Sequence, residues 1–222
     1  MTIPPSYYIL LITLFFAAAC SLIKFRLHAV HLKIIAVLLV LDLGNELLAS
    51  FGYTFLKQNF GIKNNLVIYN SFVLFQFMAY AWYFCIVIRL KWFKKFCAAF
   101  MLLFPLLWII SVLYVFGIYN WNSYIHVAGS AFTIIACAIF FYQLYTQDEL
   151  VSLPTHTEFW IAVALFIFYT CNLPYTGMLN YLINNALDVA ETLAFVLRLL
   201  NIVMYCILIY AFVCRLIKTM KS

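Results

Sequence analysis

Charge is what this sequence has least of. Lys, Arg, Asp and Glu make up 9% of its 222 residues, against roughly 25% in soluble domains, and that shortfall excludes a water-soluble fold. Glycine and proline are also scarce, at six and five. Glycines so few and so scattered leave no phosphate-cradling loop, and "HVAGSAF" at 126–132 is not the Gly-x-Ser-Gly turn of a rhomboid-type protease. Of the four histidines, His28 and His31 share one loop, His126 lies near the opposite surface and His156 sits in another loop. Read along the chain, they do not meet in a tetrahedral metal site. The last apolar run has no lysine before its tail, which removes a retinal Schiff base. Seven cysteines are present, none in a C-x-x-C and all inside or at the ends of apolar runs. They read as small hydrophobic packing residues rather than a disulfide, redox or metal framework. No cofactor is called for, and the expectation is that the protein is not an enzyme.

What is abundant is apolar: 68% of the residues are hydrophobic and 20% aromatic. Crossing a bilayer takes about 17–25 such residues. Seven runs qualify, at about 7–23, 34–55, 66–88, 96–117, 124–146, 159–181 and 192–214. No polar stretch is long enough for a second domain, so the expected fold is an all-α membrane protein, one seven-helix bundle over 1–222. The first run lacks the basic leader of a signal peptide, and "AAAC" before "SLIKFR" reads as a helix end rather than a cleavage site.

Ten of the thirteen Lys and Arg fall in three groups: Lys24, Arg26 and Lys33; Arg89, Lys91, Lys94 and Lys95; Arg215, Lys218 and Lys221. The opposite side has only Lys57 and Lys63. The positive-inside rule then places the N-terminus outside and the C-terminus in the cytoplasm, with the chain multi-pass in the inner membrane. The loop "TQDELVSLPTHTE" is acidic yet lies on the cytoplasmic side, and acids contribute little to the rule. The net charge of +6 meets anionic lipid headgroups and calls for no nucleic acid.

Some polar residues stand where lipid should forbid them. A carboxylate or arginine near a bilayer centre costs roughly 2.5–3.5 kcal/mol on insertion scales; such groups face the bundle interior and mark function by default. Asp42, Asn45 and Glu46 of "DLGNE" have i, i+3, i+4 spacing and share one face of the second span. The one basic residue well inside a span is Arg198, with Asn201 three residues later. At ~1.5 Å of rise per residue, Glu46 and Arg198 both lie roughly 10 Å below the outer surface. An ion pair between them is the expectation. Asn172 precedes Pro174 in the sixth span, Tyr69 and Asn70 open the third, and His126, Ser130 and Thr133 share a face of the fifth. Polar groups from five spans thus converge on the outer half. One reading is structural, hydrogen bonds cross-linking helices. The other, which the ionisable groups favour, is an outward cavity for a small polar ligand.

Several short patterns resemble a group of small, uncharacterised seven-helix membrane proteins of Bacteroidota. They are "HLK" at 31–33, Glu46, "YN" at 69–70, "FW" at 159–160, the Asn-x-Pro kink at Asn172–Pro174 and "CRL" at 214–216. In the third span Gln76 stands where that resemblance calls for an acid. It implies a sensory or regulatory role. The leading expectation is therefore a sensor or receptor that binds a small molecule and, without a soluble output domain, signals through a membrane or cytoplasmic partner. A small transporter, proton-coupled through Asp42 or Glu46, and a structural assembly subunit are the alternatives.

Overall fold

In a lipid-like interior every backbone N–H and C=O must be satisfied within the chain, and the chain meets that demand with helices alone. The structure, a computed structural model, describes residues 4–147 and 153–221. It contains α1 (Pro5–Leu22), α2 (Val30–Leu47), α3 (Tyr53–Phe60), α4 (Leu66–Val87), α5 (Lys91–Ile110), α6 (Ser123–Tyr145), α7 (Thr157–Asn185) and α8 (Leu187–Lys221). A π-helical turn, Leu48–Gly52, joins α2 to α3, and a second, Ser111–Val115, ends α5. Seven stretches are long and apolar enough to cross a membrane.

All seven expected spans are present, and their ends differ by a few residues. The largest shifts are at the fourth, which begins at Lys91, and the seventh, which begins at Leu187. An apolar window stops at a charge, whereas helical hydrogen bonding does not; Lys91, Lys94 and Lys95 continue the helix while their heads reach toward water. Local chemistry sets the other ends. Pro5 opens α1 with a φ already suited to helix. Gly61 closes α3 in the left-handed region at φ 64°, as glycine does without steric cost. The His156 ring caps α7 by accepting the Phe159 N–H at 3.2 Å.

Six helices form a closed ring in the order α8–α1–α2–α4–α6–α7, and α5 stands outside it against α4 and α6. The free face of α5 exposes Leu102, Leu106, Leu113 and Tyr114, a surface suited to lipid. Phe77 sits edge-on to Phe104 of α5 at 5.7 Å and meets Tyr169 at 5.5 Å, and Tyr169 meets Tyr80 at 5.7 Å. Gly129 of α6 lets α4 approach, because a Cβ there would overlap the Phe77 ring. The bundle has two ends: the Pro5 end, with the turns near residues 61, 117 and 186, and the His28 end, with those near 24–29 and 88–90, residues 146–147 and residues 153–156.

Candidate functional site

Helix α2 carries two half-buried acids one turn apart, Asp42 and Glu46, and three neighbouring helices answer them with phenols. Oε2 of Glu46 accepts the Tyr7 hydroxyl of α1 at 2.7 Å and the Tyr69 hydroxyl of α4 at 3.1 Å. The Tyr7 oxygen also lies against the Ser50 hydroxyl, in the π turn just beyond Glu46. The single phenol proton goes to the carboxylate, so Ser50 donates to Tyr7. Oδ2 of Asp42 accepts the Tyr205 hydroxyl of α8 at 2.6 Å.

The expected Glu46–Arg198 ion pair is not formed; the ion pairs among the described residues involve only histidines and Glu158. Level is the reason: Tyr205 meets Asp42, so Asn201, one turn along α8, stands level with Glu46, and Arg198 lies about 4.5 Å further toward the Pro5 end. Leu197, Asn201, Met204 and Tyr205 make the inward row of α8, and Arg198 does not line the cavity. Its Nε has no hydrogen-bond partner. A phenol is also the less costly partner, since it supplies an O–H and buries a ring without bringing a second charge out of water.

Between these helices lies a cavity of about 190 Å³. It is lined by Asp42, Asn45 and Glu46 of α2, by Tyr69, Phe72, Val73, Gln76 and Phe77 of α4, and by Trp121 and His126 at the start of α6. From α7 come Phe168, Tyr169, Asn172, Tyr175 and Thr176, and from α8 the inward row. The His126 ring stacks on Trp121 at 4.0 Å, and its Nε2 has no partner. Asn172 is 9% exposed, and its Oδ1 is likewise unpartnered. Pro174 removes one amide from the ladder of α7, and Thr176 turns its hydroxyl back onto the Asn172 and Leu173 carbonyls at 3.1 Å.

Seven of the ten residues singled out from the sequence therefore share one cavity: Asp42, Asn45, Glu46, Tyr69, His126, Asn172 and Asn201. The other three do not line it. Asn70 instead holds the 116–122 turn, donating to the Ile118 and Asn120 carbonyls at 2.9 and 2.8 Å. Ser130 is buried with an unpartnered hydroxyl, and Arg198 is off the wall. Comparison with protein-family models, with curated proteins and with solved structures found no match for this chain. Its chemistry is read from its own residues.

The His28 end holds a second polar cluster that the sequence did not single out. Glu158, in the first turn of α7, takes His31 Nε2 at 2.8 Å on one oxygen and lies 3.3 Å from His156 Nδ1 with the other. Gln143 of α6 accepts the Arg89 N–H at 2.6 Å, tying the α4–α5 connection to α6. These residues border a surface pocket of about 340 Å³. Histidines separated in sequence meet here because His31 and His156 both stand at helix starts on this end. Among the described residues no group of three or more His, Cys, Asp or Glu is placed to hold a metal ion, and all seven cysteines are free thiols. Tyr7, Ser50 and Tyr205 were also missed. Hydropathy reading counts tyrosine as apolar, so a phenol aimed at a carboxylate gives no signal.

Proposed function

We propose that this is a non-enzymatic protein of the cytoplasmic membrane, N-terminus outside and C-terminus inside, whose cavity opens outward and binds a small ligand. It works as a sensor or receptor, passing the bound state to a partner at the cytoplasmic side. The observation that carries this reading is that the cavity is blind. Below Asp42 the free space shrinks to about 10 Å³ among Ile35, Leu38, Leu39, Ile161, Leu165 and Leu208. A conducting path needs polar groups along its length; besides Asp42, the wall of that space carries only the Tyr80 and Tyr205 phenols among aliphatic side chains and Met204. The same layer counts against the transporter alternative. The resemblance of its short motifs to small seven-helix proteins of Bacteroidota points in the sensory direction. The output would pass through helix ends near Arg89–Lys95 or through the 147–158 loop, of which 148–152 lie outside the described residues.

Two measurements test it. A reporter fused after Ser222 is expected to be active in the cytoplasm, and single cysteines at Asn59 and Asn120 to react with impermeant reagents from outside. Liposomes holding the protein are expected to show no proton flux above empty ones. A periplasmic C-terminus removes the outward cavity, and a flux abolished by Asp42→Asn establishes the transporter instead.

A further inference from the structure

The cavity wall is one-sided in charge. Asp42 and Glu46 stand one turn apart on it, and no Lys or Arg lines it. Each carboxylate uses one oxygen for phenol hydroxyls, while Oδ1 of Asp42 and Oε1 of Glu46 take no hydrogen bond. A third acceptor, Oδ1 of Asn172, is nine-tenths buried without a donor. The rest of the wall is aromatic, with Tyr69, Phe72, Phe168, Tyr175 and Trp121 around the acids. Acceptors without donors ask for N–H groups, part-buried carboxylates without a cation ask for positive charge, and aromatic faces attract alkylammonium groups. An anion would meet like charge. A bare metal ion would need a shell of several oxygens, which these rings displace.

Resting on the reading that the cavity is reachable from outside, we infer that its ligand is a small organic cation, a primary or quaternary amine with an apolar body. The ammonium sits between Asp42 and Glu46, one N–H or polarised C–H is offered to Asn172, and the body lies against the rings. Size sets a limit. At about 190 Å³ the cavity is well under the ~300 Å³ at which drug-sized pockets begin. That limits the amine to on the order of ten non-hydrogen atoms.

Opposed-charge thiol labelling tests this on the full chain, with the seven native cysteines replaced, in intact cells or right-side-out vesicles. Asn201→Cys reports from the cavity wall and Asn120→Cys from the exposed turn outside it; Met204→Cys replaces the first should it fail to fold. Each is reacted with trimethylammonium-ethyl and sulfonato-ethyl methanethiosulfonate. The expected result is that the cationic reagent outpaces the anionic one at residue 201 by about tenfold or more relative to residue 120, as for a cleft of one charge sign. Millimolar n-butylammonium is expected to slow labelling at 201, while butyrate and 1-butanol do not. Asp42→Asn with Glu46→Gln is expected to erase both preferences. If residue 120 labels and residue 201 reacts with neither reagent, the outward cavity itself is overturned. If both reagents react at 201 in the ratio seen at 120 and n-butylammonium gives no protection, the cavity stands and the amine is overturned. The protection measurement needs no carboxylate variant, so a misfolded double variant does not spare the inference.

Discussion

The two ends of the bundle hold carboxylates in opposite ways. At the Pro5 end, Asp42 and Glu46 are met by neutral phenols from α1, α4 and α8. At the His28 end, Glu158 is met by two imidazoles, amid basic residues such as Arg89. A phenol is a neutral donor that leaves its acid's second oxygen open, whereas the two ring nitrogens stand against both oxygens of Glu158. The first arrangement leaves a negative cavity with open oxygens; the second closes a local circuit between the start of α2 and the start of α7. The comparison separates acids with an oxygen left open to a cavity from an acid whose two oxygens both face ring nitrogens.

The largest expected effect comes from breaking the closed circuit. Glu158→Ala removes the acceptor of His31 Nε2 and unties α2 from α7. Hydrogen bonds to charged groups contribute roughly 1.5–3 kcal/mol, so a loss of about 2 kcal/mol is expected in denaturant unfolding of the detergent-solubilised protein. Glu46→Gln at the other end keeps an acceptor for Tyr7 and Tyr69 and is expected to lose less than half of that. Equal losses would mean that Glu46 is as structural as Glu158.

A middle-sized effect is expected from the phenols. Tyr7→Phe keeps the ring and deletes the O–H that Glu46 accepts, at a cost of about 1 kcal/mol. Tyr205→Phe does the same to Asp42. Either change leaves an acid less well held, and neither should alter unfolding at the His28 end when that is followed by hydrogen exchange of the α7 start. A loss of protection there would show that the two ends are coupled.

How much of this was legible in the sequence follows from the same contrast. The spans were readable because a run of about twenty apolar residues has few other uses. The gathering of Asp42, Asn172 and Asn201 was readable from their common depth. The partners were not. Tyr7 and Tyr205 look like any other aromatic in a chain with sixteen tyrosines, and counting depth from approximate helix ends set Arg198 level with Glu46 when Asn201 holds that level. Glu158 escaped notice because contacts between loops at one end depend on ring order, which composition does not encode.

A smaller, pH-linked effect belongs to His28, which lies between spans at the basic end. Its Nε2 contacts the Ser21 carbonyl at 3.1 Å, and its ring packs on Phe212. Burial lowers its pKa, the Ser21 contact opposes this, and Arg215 and Lys33 add to the lowering. A depressed imidazole protonates first in the unfolded chain. As pH falls below the unfolded value, near ~6.5, the unfolded state binds more protons and stability declines. The unfolding midpoint is therefore expected to drop further from pH 7.5 to pH 5 in the native protein than in His28→Asn. Identical drops would show that His28 carries no linkage.

The smallest expected effect decides the comparison. Arg198 is the one cation inside the spans at the Pro5 end, and were it the counter-charge of Glu46 or Asp42, removing it would strand a buried acid at about 3–5 kcal/mol. With its Nε unpartnered and its side chain off the cavity wall, Arg198→Leu is expected to change stability by no more than ~0.5 kcal/mol, the range of substitutions away from specific partners. It should also leave the reagent-charge preference at residue 201 as it was. A loss of several kcal/mol would restore the ion pair, neutralise the cavity and erase the difference between the two ends. A change in labelling preference with stability intact would put the guanidinium near enough to compete with an incoming amine for the same two carboxylates.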